Sequence, residues 1–387
     1  MKEFKSFFKL VKRELKLFFS NDVLVAVFFG APIFFGLLVG FTYQQASVKQ
    51  LSIAVIDQDN SPLSHKVIDA LDENFYLQVD QISYLEEDVK HDLPKFEAIV
   101  RIPKGFEGDI NYKRHPHIQV EVNGANMITG NYANIGIRTV LGTLNAGIEI
   151  LGLHKSGIPL ETAKEQWEAF SVDDTRYFNA TSNYLTFIWP GIIGAVLQQV
   201  FLLAMALTFS KEHEENTFGE IASITTNPFT VFFGKAIPYW IIGVTLWIGL
   251  QLTLFPLFKL PMPSNYGVLL AITSVFILSL TCLGVLISWL LPSQLKATEV
   301  LMVISTPSFI LSGFTWPLNA MPEWIQNISN LIPLTHFLHA LRKVLHFDAN
   351  YSDVILDVQN MLIIALISFV VMLILLYRKL KATKLVD

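Results

Sequence analysis

The chain has 387 residues, of which 52% are apolar and only 16% charged, and its mean hydropathy is +0.45. Soluble domains carry about 25% charged residues, and the deficit here falls in long runs without ionisable groups, which excludes a soluble cytosolic enzyme and marks a membrane protein. The net charge of −5 argues against nucleic acid as a partner, and the single cysteine, Cys282, excludes an intramolecular disulfide and a cysteine-based metal site.

Residues 1–20 place Phe4, Phe7, Phe8, Val11, Leu15, Phe18 and Phe19 at intervals of three and four, with most of the lysines and Arg13 opposite. That spacing predicts an amphipathic helix lying in the membrane surface, the alternative being a basic anchor that only sets topology. Glu14, an acid among bases, is expected either to pair locally or to contact a partner.

A bilayer core takes about 20 apolar residues as helix, and six charge-free runs meet that length: Val23 to Tyr43, Tyr184 to Phe209, Ala236 to Phe258, Tyr266 to Leu291, Val300 to Trp316 and Val358 to Tyr377. The fifth is short, with Pro307 inside it and Pro317 closing it, so a kinked helix is expected there. The expected fold is therefore an α-helical membrane protein of six transmembrane helices, with an α/β domain between helices 1 and 2. Lys and Arg crowd the first twenty residues and the tail (378–387) and recur at Lys211, Lys235 and Lys296, which places both termini in the cytoplasm and residues 44–183 outside. A cleaved signal peptide competes for residues 1–46, but the apolar run exceeds the usual 7 to 15 residues or so. Tryptophans near span ends read as interface anchors and Trp247 as an internal residue.

Residues 44–183 hold 20 acids and 12 bases, a net of −8, so the acidity of the chain belongs to this segment. Leu51 to Asp57 reads as a buried strand, and Ser61-Pro62 starts a helix through Leu71. Strand-like runs recur at Tyr76 to Val79, Ala98 to Ile102 and Ile118 to Val122, an alternation that predicts an α/β layer. Asn126 to Leu153 then carries apolar residues at helical spacing. Asp57 and Asp59 sit at a strand end, where turn capping explains them better than chemistry. His115-Pro116-His117 supplies too few ligands for a metal. Asn179-Ala-Thr181 and Asn327-Ile-Ser329 match the glycosylation sequon, a pattern that short chance matches produce often.

Between the second and third runs, Thr217 followed by Glu220 has the spacing of a capping box, predicting a short helix to about Thr225 before Asn227-Pro228 breaks it. The acids Glu212, Glu214 and Glu215 suit either a solvated loop or the docking of a partner. Polar residues inside the runs (Gln198, Gln199, Thr281, Ser288, Ser305, Thr306 and Ser308) suit either a substrate path or helix-to-helix packing. The absence of charged groups within the runs argues against proton or sodium coupling.

The order of one span, a large domain, five spans and this loop resembles the permease subunit of ABC-2 type (type V) transporters. The matching residues are Lys12-Arg13-Glu14-Leu15, Val55 to Pro62, Glu214-Glu215-Asn216-Thr217, Ile221 to Pro228, Gly234-Lys235, Leu311 to Leu318, Met321 to Trp324 and Leu331 to Arg342. Asn216 stands where the family usually has glycine. The resemblance implies a coupling loop over 210–234, where a separate ABC ATPase docks, with Glu212, Glu214, Glu215, Thr217, Gly219 and Glu220 of the loop and Glu14 of the first helix as contact residues. It also implies an outer re-entrant segment over 317–350, in which His336 and His339 are structural rather than zinc ligands. No Gly-x-x-x-x-Gly-Lys-[Ser/Thr] occurs in the chain, so ATP and Mg belong to the partner ATPase and no cofactor is expected here. Six spans then make half a transporter, completed by a second copy or a paralogous permease in a bacterial inner membrane. It would export an amphipathic, drug-like or lipid-like substrate. The rival reading is a membrane-anchored sensor or assembly factor whose outer domain binds a ligand.

Overall fold

The computed structural model describes residues 2–45, 48–90, 93–167, 178–179 and 183–383. The elements run α1 (Lys2–Phe19), α2 (Asp22–Thr42), β1 (Leu51–Asp57), α3 (Pro62–Asp72), β2 (Leu77–Ser83), α4 (Glu87–Lys90), β3 (Ala98–Ile102), α5 (Phe106–Asn111), β4 (Gln119–Val122), α6 (Met127–Lys155), α7 (Leu160–Trp167), α8 (Tyr184–Glu214), α9 (Phe218–Ile224), α10 (Pro228–Leu257), α11 (Tyr266–Leu290), α12 (Gln294–Leu311), α13 (Glu323–Ser329), α14 (Pro333–His346) and α15 (Tyr351–Thr383). They form two compact units, Met1–Ala46 with Arg176–Asp387, and Ser47–Thr175.

The first unit is helical. Asn21, Asn183, Asn227 and Asn265 cap α2, α8, α10 and α11 by accepting a first-turn backbone N–H, so the long apolar helices begin where a short polar side chain satisfies orphan donors. Among the described residues, five helices are long and apolar enough to cross a membrane: α2, α8, α10, α11 and α15. The expected fifth span is not among them. Its helix, α12, spans 18 residues, opens on Lys296 and Glu299, and ends at Leu311, so the charge-free run up to Trp316 continues into a turn rather than a helix.

The core of this unit contains Trp189, Trp247, Phe201, Phe276 and Phe337, and the rings of Phe276 and Phe337 stack at 4.1 Å. Trp247 packs inside as expected. Trp189 does too, against the reading of span-end tryptophans as anchors, because its indole N–H donates to the Gly36 carbonyl of α2 at 2.9 Å. Helix α14 is buried along most of its length. His336 pairs with the Asn330 carbonyl at 2.9 Å, while His339 pairs with Asp357 at 2.8 Å, so the two imidazoles serve different partners. Asn327 of the second sequon lies in α13, and Thr181 of the first lies outside the described residues.

The second unit is an α/β layer. Its four-stranded sheet has the order β2-β1-β3-β4, with β1 parallel to β2 and β3, and β4 antiparallel to β3. One face carries Ile53, Val55 and Val100 against Val67 and Leu71 of α3 and Ala133 and Ile137 of α6. The other carries Ala54, Ile56 and Ile99 against Val89 and Phe96. Asp57 accepts the backbone N–H groups of Asp59 and Asn60, each at 3.0 Å, and Asp59 accepts those of Gly105 and Glu107 at 2.7 and 3.0 Å. Both acids therefore cap turns.

Candidate functional site

The short helix expected after α8 is present as α9, held between α8 and α10. Thr217 occupies its N-cap position but makes no side-chain cap. The capping box is absent because the Thr217 hydroxyl donates instead to Glu212, the last buried acid of α8. Asn216, just before it, has φ +57°, a left-handed conformation that glycine adopts freely and asparagine tolerates better than most residues. The replacement of the usual glycine is thereby accommodated.

Beneath α9 lies a buried ionic cluster that joins four helices. Lys235 of α10 has no exposed surface. Its ammonium donates to Glu14 Oε1 of α1 at 2.7 Å, to Glu212 Oε1 of α8 at 3.0 Å and to the Thr208 carbonyl at 3.0 Å, and it lies 4.8 Å from the Phe209 ring centroid. Arg13 adds a two-pronged contact to Glu212 and reaches Glu220 of α9 at 3.4 Å. Two cations and two carboxylates thus neutralise one another where isolated charges would be costly. The guanidinium of Arg13 is half-buried; burial lowers its affinity for a proton, yet the bonds to Glu212 outweigh that and raise its pKa.

Gly234 makes the cluster possible. A Cβ there would lie 2.8 Å from Leu10 Cβ, so glycine lets α1 press against α10 at the level where Glu14 meets Lys235. A second tie joins the amino end of α1 to the far end of α9. Glu3 accepts the hydroxyls of Thr225 and Thr230 at 3.0 and 2.8 Å, and Ser6 donates to the Ile224 carbonyl at 3.0 Å. The inner face of α9 is seated by Phe218, which meets Trp289 edge-on at 5.5 Å, and by buried Ile221.

The expected contact residues therefore divide. Glu14 and Glu212 are buried at 1% and 2% exposure and lie inside the cluster rather than on a surface. Thr217 is half-buried, while Glu214, Glu215, Gly219 and Glu220 are exposed. Glu214 also accepts the Gln294 backbone N–H at 2.9 Å, tying the loop to the start of α12. In α1, Leu10, Glu14 and Phe18 form a buried line, and Phe4, Phe8 and Phe19 are exposed. Lys235 lies inside α10 and Asp357 inside α15, so the apolar helices do contain charged groups. Each is paired, Asp357 with His339 and Lys343, and each lies one position before a charge-free run, Ala236 to Phe258 and Val358 to Tyr377.

The polar residues read as a substrate path divide as well. Ser288 is a buried helix link whose hydroxyl donates to the Ala206 carbonyl and accepts the Phe209 and Ser210 N–H groups of α8. Thr281, Thr306 and Ser308 donate to carbonyls of their own helices. On the neighbouring helices α8 and α12, Gln198 and Ser305 are buried with an unpartnered side-chain oxygen each, and Gln199 and Thr306 are exposed.

Five long apolar helices and a short helix braced between two of them define a multi-pass membrane protein. Residues 23–377 match the family model described as ABC-2 family transporter protein, and the chain belongs to that family. It is 22% identical over 360 residues, 92% of either chain, to the inner membrane transport permease YhhJ of Escherichia coli K12. Over about half of either chain it is 29% identical to YbhS and 25% identical to YbhR of the same organism, both named probable multidrug ABC transporter permeases. The protein is a transport permease.

Proposed function

We propose that this chain is the membrane half of an ATP-driven exporter in which a separate ABC ATPase docks on the exposed face of α9. The observation that carries this reading is the ionic cluster, which fastens α9 to α1, α8 and α10 at once. A force applied to α9 reaches Glu212 through Thr217 and Arg13, then Lys235 and Glu14 through bonds of about 3 Å, so the ends of two spans move with it. The contact face comprises Glu214, Glu215, Gly219 and Glu220, with Glu14 and Glu212 as the brace behind it. ATP and Mg are held by the partner, and a second copy or a paralogous permease completes the transporter. Both termini then lie in the cytoplasm and the α/β unit outside, with α12 as a sixth, shorter span. An amphipathic drug-like or lipid-like substrate passes along α8 and α12, where Gln198, Gln199, Ser305 and Thr306 offer polar groups.

The test is gentle extraction from the native membrane, followed by identification of associated P-loop proteins and a vanadate-sensitive ATPase assay. Gly219→Trp is the discriminating variant, since Gly219 is exposed and no described residue lies within 4 Å of a Cβ at that position. Loss of a co-purifying ATPase with the fold intact supports docking on α9. Absence of any associated ATPase from the wild-type chain overturns the reading.

A further inference from the structure

The α/β unit contains an open crevice of about 340 Å³ outside the carboxyl ends of the parallel strands β1 and β2, the side of such sheets on which ligands bind. Its volume falls within the range of small-molecule sites. One wall is the face of α3 that carries His65, Ile68 and Asp69; the other is the end of β2 with Ile82, Ser83 and Tyr84. Ile68 is buried, whereas Ile82 and Tyr84 are 58% and 56% exposed and form an apolar rim to the crevice.

The charge of the crevice selects among ligands. The turn after β1, with the amino end of α3 behind it, is where such folds receive anions, but the chain's own Asp57 carboxylate already fills it, accepting two N–H groups and the Ser64 hydroxyl at 2.7 Å. Among the described residues no lysine or arginine lines the crevice, while Asp57 and Asp69 both do. His65 is engaged with the Asn60 side chain at 2.9 Å. Among the described residues, no three His, Cys, Asp or Glu side chains are placed to hold a metal ion, so a bare divalent cation lacks a ligand set. Such a lining, acidic with an apolar rim, complements an organic cation with an apolar body better than an anion or a bare metal ion.

We infer that this crevice binds amphipathic organic cations, with the Asp69 carboxylate opposing the charge, the Tyr84 ring face lying against it and Ile68 and Ile82 taking the apolar part. The inference does not depend on docking of an ATPase and is tested without one. The full-length chain in phosphatidylcholine nanodiscs is titrated with ethidium, an aromatic monocation, and followed by fluorescence anisotropy, with the anionic dye anilinonaphthalene sulfonate as comparator. Saturable binding of one ethidium per chain is expected. Asp69→Asn and Tyr84→Ala should each weaken it about fivefold, while Tyr84→Phe keeps the ring and retains binding. Both altered side chains are exposed, and circular dichroism checks that the unit remains folded. Ethidium binding that is unsaturable, that is indifferent to both Asp69→Asn and Tyr84→Ala, or that is weaker than binding of the anion overturns the inference.

Discussion

Replacing Lys235 by Met keeps the length of the side chain and removes its charge from a site without solvent exposure. At 2.7 and 3.0 Å and an effective dielectric of about 20, each carboxylate attracts the ammonium by roughly 5 to 6 kcal/mol. Desolvation of the ions offsets much of that, and removing one member of a buried set costs about 3 to 5 kcal/mol because the others remain charged and unpaired. Glu212 keeps Arg13, so the cost falls mainly on Glu14, whose remaining contact to Arg13 is long at 3.4 Å. Lys235→Met should therefore destabilise the purified chain by about 3 to 5 kcal/mol, read by detergent-titrated unfolding in mixed micelles with tryptophan fluorescence. Adding Glu14→Gln should recover about 2 kcal/mol or more, since the orphaned charge is then gone. A single-variant cost below about 1 kcal/mol, or strict additivity in the double variant, would show that the cluster does not hold the four helices together.

Gly40 of α2 faces the Phe258 ring, and a Cβ there would overlap the ring edge; Gly40→Ala should cost about 1 to 3 kcal/mol through overpacking, measured by the same unfolding titration. Ser288→Ala removes the hydroxyl that links α11 to the Ala206 carbonyl and the Phe209 and Ser210 N–H groups of α8 and should cost about 1 kcal/mol, with Ser288→Cys recovering part of it. For Asp59, burial alone would raise the carboxyl pKa, but the Ser61 hydroxyl and the Glu107 and Gly105 backbone N–H groups hold it below the ordinary value. The stabilisation is therefore complete above the unfolded-state value near 4 and is lost as the pH falls through the lower folded-state value. Asp59→Asn should flatten that acid limb in unfolding measured between about pH 2 and 5, and an unchanged limb would remove Asp59 from the account.

The sequence makes local order legible and hides what joins distant segments. The strand at Ala98 to Ile102 and the starts of α3 and α6 follow from alternation and from short polar caps, signals contained within a dozen residues. The capping box was misread because Thr217 has a stronger acceptor in Glu212, which lies outside the window that defines the box. Counting charge-free runs left Lys235 and Asp357 just outside the runs, whereas α10 and α15 extend past the last uncharged residue to include them, where buried partners compensate the charge. Glu14 and Lys235 are 221 positions apart, and nothing in linear spacing links them. Gly234-Lys235 and Arg13-Glu14 were visible as separate charges and as fragments of family resemblance, and their pairing emerges once α1 packs on α10.

The docking role of α9 is tested most directly by placing a photo-crosslinking amino acid at Gly219 or Ser223 in the native membrane, with Leu252 of α10, an exposed apolar position, as control. The account predicts that Gly219 and Ser223 capture a polypeptide carrying a P-loop nucleotide site and that Leu252 does not. Crosslinks from Gly219 and Ser223 that reach only lipid, or the same proteins as Leu252, would contradict it.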